Sequence, residues 1–116
     1  MAKSAAKQLN TVRINAGIWR SRLIKFPDAE GLRPTPERVR QTLFNWLGQD
    51  LNGWRCVDAF AGTGALGFEA ASRGAQSVVL LEQDAQLVSL LSQTRERLKA
   101  QTVQVQKGDA MMGLQR

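Results

Sequence analysis

The sequence predicts an α/β protein built on a doubly wound parallel sheet. Two apolar runs, Cys56–Phe60 and Ser77–Leu81, have the length of strands, and the second is continuous, as expected for a strand of a parallel sheet. A helical pattern follows each run, and Val103–Gln106 is expected to form a third strand. The order strand, helix, strand, helix, strand needs crossover connections, so these strands should lie parallel in one sheet.

The part before the sheet predicts a small β-hairpin followed by a helix. β-forming residues on both sides of Asn15–Gly17 indicate a hairpin that turns there, and residues 1–11 are expected to form a flexible basic arm. Thr35 is a good N-cap and Pro36 a good first helical residue. Four apolar residues at helical spacing predict the face that packs on the core: Val39, Leu43, Trp46 and Leu47.

Two further helices are predicted between the strands of the sheet. The first covers Ala65–Arg73 and ends at Gly74. The second covers Ala85–Lys99, and Asp84 is expected to cap it. Its inner face is expected to consist of Leu87, Leu90, Leu91, Thr94 and Leu98.

The positive charge is concentrated before the sheet. The net charge is +6, and residues 1–40 carry nine basic residues against three acidic ones, so this part holds the whole excess. A concentrated basic surface favours a polyanionic partner, most simply nucleic acid. Trp19 can stack on a base from between the arginines, although packing beneath the hairpin is an equal alternative. The candidate RNA-binding residues are Arg13, Trp19, Arg20, Arg22, Arg33 and Arg38.

Composition excludes several kinds of site. The chain has no histidine, which removes Ser-His-Asp and Cys-His catalysis and most zinc sites, so no metal site is expected. The single cysteine, Cys56, excludes an internal disulfide and indicates a reducing, cytoplasmic setting. No apolar stretch is long enough to span a membrane.

A glycine-rich turn follows the first strand of the sheet. Gly62, Gly64 and Gly67 fit G-x-G-x-x-G, a pattern typical of nucleotide-binding turns. Asp58 lies four residues before Gly62, and its carboxylate would repel the pyrophosphate of a dinucleotide. Acidic residues also end or follow the next two strands, at Glu82 and Asp109. The carboxyl ends of parallel strands meet at one edge, which is where open α/β sheets bind ligands.

The motifs resemble those of one bacterial enzyme family. D-x-x-x-G-x-G resembles motif I of the Rossmann-like class I S-adenosylmethionine-dependent methyltransferases, whose cofactor carries an ammonium and a sulfonium and no phosphate. The segments R-P-T-P-E-R-V-R-Q-T-L-F-N, D-A-F-A-G-T-G-A-L-G and L-L-E-Q-D strongly resemble the RsmD-type methyltransferases. The resemblance covers about residues 12–112 and implies methylation of the exocyclic N2 of a guanine in small-subunit (16S) ribosomal RNA.

The resemblance also implies roles for individual residues. The loop Asp58–Gly64 would hold the methionyl part of S-adenosylmethionine, and the block Arg33–Asn45 would close over the cofactor or face the RNA. Glu82 would bind the ribose, and Asp109 with Ala110 the adenine. The complete set of expected cofactor-binding residues is Asp58, Phe60, Gly62, Gly64, Glu82, Gln83, Asp109 and Ala110.

One departure from the family concerns the catalytic motif. The family carries Asn/Asp-Pro-Pro-Phe/Tyr after its fourth strand, whereas the three prolines of this chain all precede the sheet and the sequence ends at Arg116. We therefore expect the catalytic motif to lie beyond Arg116. Residues 51–116 are then expected to be the N-terminal half of the cofactor-binding domain, with residues 12–50 as the hairpin and helix. No catalytic residue is expected within the 116 residues, and the chain alone should be inactive.

Two rival functions stay open at this point. An NAD(P)-dependent oxidoreductase would explain the glycine turn, although Asp58 and the R-P-T block disfavour it. A non-catalytic RNA-binding module would explain the basic N-terminal part, and it would bind RNA with steep salt dependence and bind no cofactor.

Overall fold

The computed structural model describes residues 9–27, 35–59 and 61–108. They form two sheets, one of two strands and one of three, together with three helices. In chain order the elements are β1 (Leu9–Arg13), β2 (Leu23–Pro27), α1 (Glu37–Leu47), β3 (Arg55–Asp58), α2 (Ala65–Ser72), β4 (Ser77–Glu82), α3 (Ala85–Leu98) and β5 (Val103–Lys107).

The larger sheet is parallel, with strand order β3-β4-β5. Asp58 pairs with Leu80, which in turn pairs with Val105, so the carboxyl ends of the strands lie side by side. Val78 and Leu80 of the central strand are fully buried, as expected for a strand covered on both faces. The predicted fold class, a Rossmann-like parallel sheet with an N-terminal hairpin and helix, is confirmed.

The hairpin is confirmed, with a longer connection than expected. β1 and β2 pair antiparallel, with Val12 opposite Ile24, and residues 14–22 connect them. β1 begins at Leu9, so residues 9–11, which were expected to belong to the flexible arm, form part of the strand. The other residues of the predicted arm, 1–8, lie outside the described residues.

The predicted start of α1 is wrong. The helix begins at Glu37 with Pro36 as its N-cap, and no described side chain caps it, so Thr35 does not have the expected role. Arg40 donates its backbone N–H to the Pro36 carbonyl, which closes the first turn.

The predicted inner face of α1 is also wrong in part. Val39 is 55% exposed and Trp46 is 81% exposed, while Leu43 and Leu47 are partly buried. The fully buried positions are Arg40 and Phe44. The buried face of α1 therefore differs from the apolar face that the spacing predicts. Arg40 lies on the buried face because its guanidinium points toward the buried carboxylate of Glu69.

The remaining elements match their predicted positions within a residue or two. Asp84 caps α3 as expected, because its Oδ1 accepts hydrogen bonds from the backbone N–H groups of Gln86 at 2.8 Å and Leu87 at 3.3 Å. Three of the expected inner residues of α3 are buried: Leu91, Thr94 and Leu98. Leu87 and Leu90 are half-buried.

Candidate functional site

The glycine loop between β3 and α2 is held against the end of β4. Ala61 donates its N–H to the Leu81 carbonyl at 3.1 Å, and Gly64 donates to the Ala61 carbonyl at 2.7 Å. Gly64 has a φ of +84°, and a Cβ there would lie 2.7 Å from the Phe68 ring. Only glycine fits this position, because both the backbone conformation and the space exclude a side chain.

Gly67 has the role expected of the third glycine of the pattern. A Cβ at this position would lie 2.2 Å from Cδ2 of Leu80 on β4. The missing side chain therefore lets α2 lie directly on the central strand.

Glu82 connects the end of β4 to the glycine loop. Its Oε1 accepts a hydrogen bond from Gly62 N–H at 3.0 Å, and its Oε2 accepts one from Asp84 N–H at 3.1 Å. A carboxylate has about four acceptor positions, so two bonds to the backbone leave capacity for two hydroxyl groups. The half-buried side chain is thus fixed in position while still able to bind a diol.

The structure brings five of the predicted cofactor residues to one edge of the sheet: Asp58, Gly62, Gly64, Glu82 and Gln83. Gly108 donates its N–H to the Glu82 carbonyl at 3.0 Å, so the chain leaves β5 beside Glu82. The carboxyl edge therefore combines a tight glycine loop with carboxylates from adjacent strands.

Some of the predicted positions lie outside the described residues. They are the cofactor residues Phe60, Asp109 and Ala110, and the end of the chain at Arg116. The described part ends at Gly108, before any position at which the catalytic motif was expected. The placement of that motif beyond Arg116 therefore stays a prediction, and we assign no catalytic residue.

The predicted RNA-binding residues differ in their exposure to solvent. Arg13, Arg20, Arg22 and Arg38 are exposed, and Arg33 lies outside the described residues. Trp19 is only 8% exposed and belongs to the core, so of the two alternatives for this residue the structure supports packing beneath the hairpin. A ring buried in this way has no free face on which a base could stack.

A buried charge cluster, which the sequence patterns did not predict, is formed by Glu69, Arg40 and Arg73. Glu69 is fully buried and accepts hydrogen bonds from the backbone N–H groups of Asn15 at 2.9 Å and Ala16 at 3.1 Å. Its Oε2 also accepts from Nε of Arg73 at 2.9 Å, and Nε of Arg40 lies 4.0 Å from Oε1. The signal was a Glu and an Arg four residues apart in the otherwise apolar segment of α2.

The two arginines of this cluster connect further parts of the chain. Arg40 donates from Nη2 to the Arg13 carbonyl at 2.8 Å, which ties α1 to the end of β1. The Arg73 guanidinium lies 4.5 Å from the centroid of the Phe44 ring, a cation–π contact. The cluster therefore fixes the hairpin, α1 and α2 relative to one another.

Ser72 adds a second set of contacts between α2 and the hairpin connection. Its Oγ donates to the Ala16 carbonyl at 2.6 Å and accepts from Trp19 N–H at 2.9 Å. Gly17 has a φ of +89°, and a Cβ there would lie 1.8 Å from the Ser72 carbonyl oxygen. The connection is thus in direct backbone contact with α2.

Other kinds of site find no support in the described part of the chain. It contains no group of three metal-ligating side chains and no helix that is long and apolar enough to cross a membrane. Burial raises the pKa of the Cys56 thiol, so Cys56 is protonated near neutral pH and is a poor nucleophile.

Comparison with known proteins identifies the family. A family model described as conserved hypothetical protein 95 matches residues 12–116. The chain is 46% identical over 95 residues to ribosomal RNA small subunit methyltransferase D of Haemophilus influenzae, covering 82% of this chain and 49% of that protein. It is 46% identical over 100 residues to the Escherichia coli K12 protein of the same name, covering 86% of this chain and 50% of that protein.

Solved structures agree with this relationship. The structure of yhhF from Escherichia coli, described there as a proposed methyltransferase, superposes with a TM-score of 0.81 at 41% identity. The match covers 90% of this chain and 56% of that one, and this chain spans about half the length of the curated relatives it matches. The chain belongs to the conserved hypothetical protein 95 family, the RsmD family whose motifs its sequence carries.

Proposed function

We propose that this chain is part of a methyltransferase that uses S-adenosylmethionine to methylate the exocyclic N2 of a guanine in small-subunit ribosomal RNA. The observation that carries the proposal is the hydrogen bond from Gly62 N–H to Glu82, which joins the glycine loop to the acidic end of the next strand. The names of the relatives indicate methyl transfer to small-subunit ribosomal RNA, and guanine N2 as the target comes from the family resemblance of the sequence motifs. A cytoplasmic location stays a prediction.

The residues at the carboxyl edge fit this cofactor. The missing side chain of Gly64 lets Phe68 and Leu91 pack against the loop and holds it in its tight turn, and Glu82 has acceptor capacity for two ribose hydroxyls. The carboxylates of Asp58 and Glu82 favour a ligand that carries an ammonium and a sulfonium over a ligand that carries a pyrophosphate. This preference, together with the family, disfavours the oxidoreductase alternative.

The roles of the chain's own residues are binding and orientation. We assign the loop Asp58–Gly64, including Phe60, to the methionyl part, Glu82 with Gln83 to the ribose, and Asp109 with Ala110 to the adenine. Bound S-adenosylmethionine supplies an electrophilic methyl group. Holding that methyl group in line with the guanine amine converts the transfer into an effectively unimolecular step, so positioning accounts for much of the rate.

The RNA is assigned to the basic N-terminal part. Arg13, Arg20, Arg22 and Arg38 are exposed, and Arg33 belongs to the same part of the sequence. Arginines at such positions bind phosphate oxygens and fix the orientation of the nucleic acid without reading its sequence. The basic N-terminal part would therefore orient the RNA relative to the cofactor edge.

Cofactor binding is tested by calorimetry with S-adenosylhomocysteine and, separately, with NAD. We expect the chain to bind S-adenosylhomocysteine and not NAD. Glu82→Gln should weaken the binding by about 1–3 kcal/mol, the range for hydrogen bonds to a charged group, while the Gln oxygen can still accept from Gly62. Glu96→Gln is the matched control, because it removes the same charge from an exposed position on α3.

Three results would contradict parts of this proposal. Equal affinity of the wild type and Glu82→Gln for S-adenosylhomocysteine would remove Glu82 from the ribose site. Binding of NAD instead would restore the oxidoreductase alternative. Binding of RNA with no binding of either ligand would favour the non-catalytic RNA-binding module.

A further inference from the structure

The structure contains a polar pocket that is separate from the glycine loop and from Glu82. The pocket has a volume of about 500 Å³ and lies between the hairpin connection, α1 and the end of α2. Among the described residues no carboxylate lines it. Its side chains are four amides and two guanidiniums: Asn15, Gln41, Asn45, Gln49, Arg20 and Arg73.

Asn15 carries an unused hydrogen-bond donor in this pocket. Its Nδ2 is buried and has no hydrogen-bond partner among the residues that the structure describes. Leaving a buried donor unpaired is energetically unfavourable. The backbone of Asn15 is nevertheless fixed, because its N–H donates to Glu69. Rotation of the Asn15 amide toward the pocket would let an acceptor of a bound ligand satisfy this donor.

The wall that carries Asn15 is rigid. Glu69 binds the N–H groups of Asn15 and Ala16, and Ser72 binds the Ala16 carbonyl and Trp19 N–H. Gly17 fits against the Ser72 carbonyl without room for a side chain. A preformed wall loses little conformational entropy when it binds a ligand.

The charge of the pocket favours an anion at its rim. Arg73 is neutralised by Glu69 at 2.9 Å, whereas no described hydrogen bond or ion pair involves the exposed Arg20 guanidinium. A guanidinium binds phosphate oxygens with two parallel hydrogen bonds. Side-chain amides of Asn and Gln pair with the donor and acceptor edges of bases. The two chemistries together match a nucleotide.

We propose that this pocket binds one nucleotide of an RNA, with Arg20 on its phosphate and the Asn15 amide on an acceptor of its base or ribose. The volume lies within the range of small-ligand pockets, which is about 300–1,000 Å³. RNA recognition commonly captures single unstacked nucleotides in this way. The inference rests on the proposed function, since it names the site at which the basic N-terminal part holds its RNA.

The test compares RNA affinity and its salt dependence among variants of the 116-residue chain. The probe is an in vitro transcript of bacterial small-subunit ribosomal RNA, and binding is measured by filter retention at several salt concentrations. Arg20→Gln should weaken binding and lower the slope of log affinity against log salt by about one. Asn15→Ala should weaken binding about tenfold and leave the slope unchanged, because it removes a contact to a neutral group.

Arg55→Gln is the matched control. Arg55 is exposed on β3 and does not line the pocket, so its loss should change the affinity less than about twofold. Thermal melts confirm that each variant folds. If Asn15→Ala unfolds, Asn45→Ala replaces it, since Asn45 is an exposed residue of α1 that lines the same pocket.

The outcomes distinguish failure of the pocket proposal from failure of the proposed function. Wild-type affinity in both pocket variants, with binding of S-adenosylhomocysteine intact, would overturn the pocket and leave the proposed function standing. Binding to assembled ribosomal subunits but not to the bare transcript, with loss in Asn15→Ala, would mean a protein occupant and overturn the RNA site. No binding of RNA or S-adenosylhomocysteine by the wild type would overturn both.

Discussion

The hairpin and α1 differ from the parallel sheet in how they are held. Both contribute apolar residues to one core, including Ile14 and Ile24 from the hairpin and Val78 and Leu80 from β4. The sheet is additionally fixed by its own backbone ladder. The hairpin is joined to the sheet part by the carboxylate of Glu69, the hydroxyl of Ser72 and the Arg97 guanidinium, and α1 approaches Glu69 through Arg40.

The difference shows that α2 contacts both the parallel sheet and the hairpin connection. Gly67 brings it directly onto Leu80 of β4, and Glu69 and Ser72 connect it to residues 15–19. Apolar packing tolerates small rotations, whereas hydrogen bonds to a buried carboxylate require defined distances and angles. The polar junction therefore fixes the orientation of the hairpin and α1 relative to the carboxyl edge of the sheet.

Removing the carboxylate of Glu69 is the strongest way to break the junction. Glu69→Gln leaves two buried arginines without their counter-charge and should lower the free energy of unfolding by about 3 kcal/mol. Urea denaturation measures this loss. Glu37→Gln is the control, because Glu37 is exposed and, within the described residues, its carboxylate bonds only Gln41; it should change stability by less than about 0.5 kcal/mol. A loss below about 1 kcal/mol in Glu69→Gln would mean that the charge of Glu69 is not needed to hold the hairpin.

Gly17 tests the backbone contact between the hairpin connection and α2. Gly17→Ala combines a positive φ with a clash against Ser72, whereas Gly53→Ala has a similar φ of +85° and open space around it. We expect Gly17→Ala to cost about 2 kcal/mol more than Gly53→Ala. Thermal unfolding of the pair isolates the contact, because the conformational strain is common to both. Equal losses would show that the connection can move away from α2 at no cost.

Trp46 tests the rotation of α1. The apolar spacing predicts this residue on the inner face, but its side chain is 81% exposed. Trp46→Ala should therefore change the free energy of unfolding by less than about 0.5 kcal/mol, as for other surface substitutions. A buried tryptophan would cost about 3–5 kcal/mol on truncation. A loss of that size in chemical denaturation would contradict the exposed position of Trp46 and indicate that its side chain is buried.

The sheet part was predictable because its signals are local. Apolar runs, helical spacing and the Asp84 cap each lie within one element and gave β4, α3 and β5 nearly to the residue. The inner face of α1 was not predictable in the same way. Its rotation depends on the approach of Arg40 to Glu69, and the hairpin connection depends on contacts such as Trp19 to Ser72, 53 residues apart. Contacts between residues so far apart in the chain produce no periodic pattern in a single sequence.

The same contrast holds within the candidate site. The proximity of Gly62 and Glu82 follows from a topology rule, since parallel strands bring their carboxyl ends together. The polar pocket follows no such rule, because its amides come from the hairpin connection and one side of α1. Its composition could be found only after the two elements were placed against each other.

The burial of Trp19 has a spectroscopic consequence. The three tryptophans differ in environment, with Trp19 8% exposed, Trp54 45% and Trp46 81%. Indole emission shifts to the blue in an apolar environment, and a buried ring is shielded from acrylamide quenching. Trp19 lies in the connection that Ser72 holds on α2, so the unquenched blue emission should vanish when that connection detaches. The chain thus carries its own optical reporter of hairpin docking, independent of the circular dichroism of the sheet and helices.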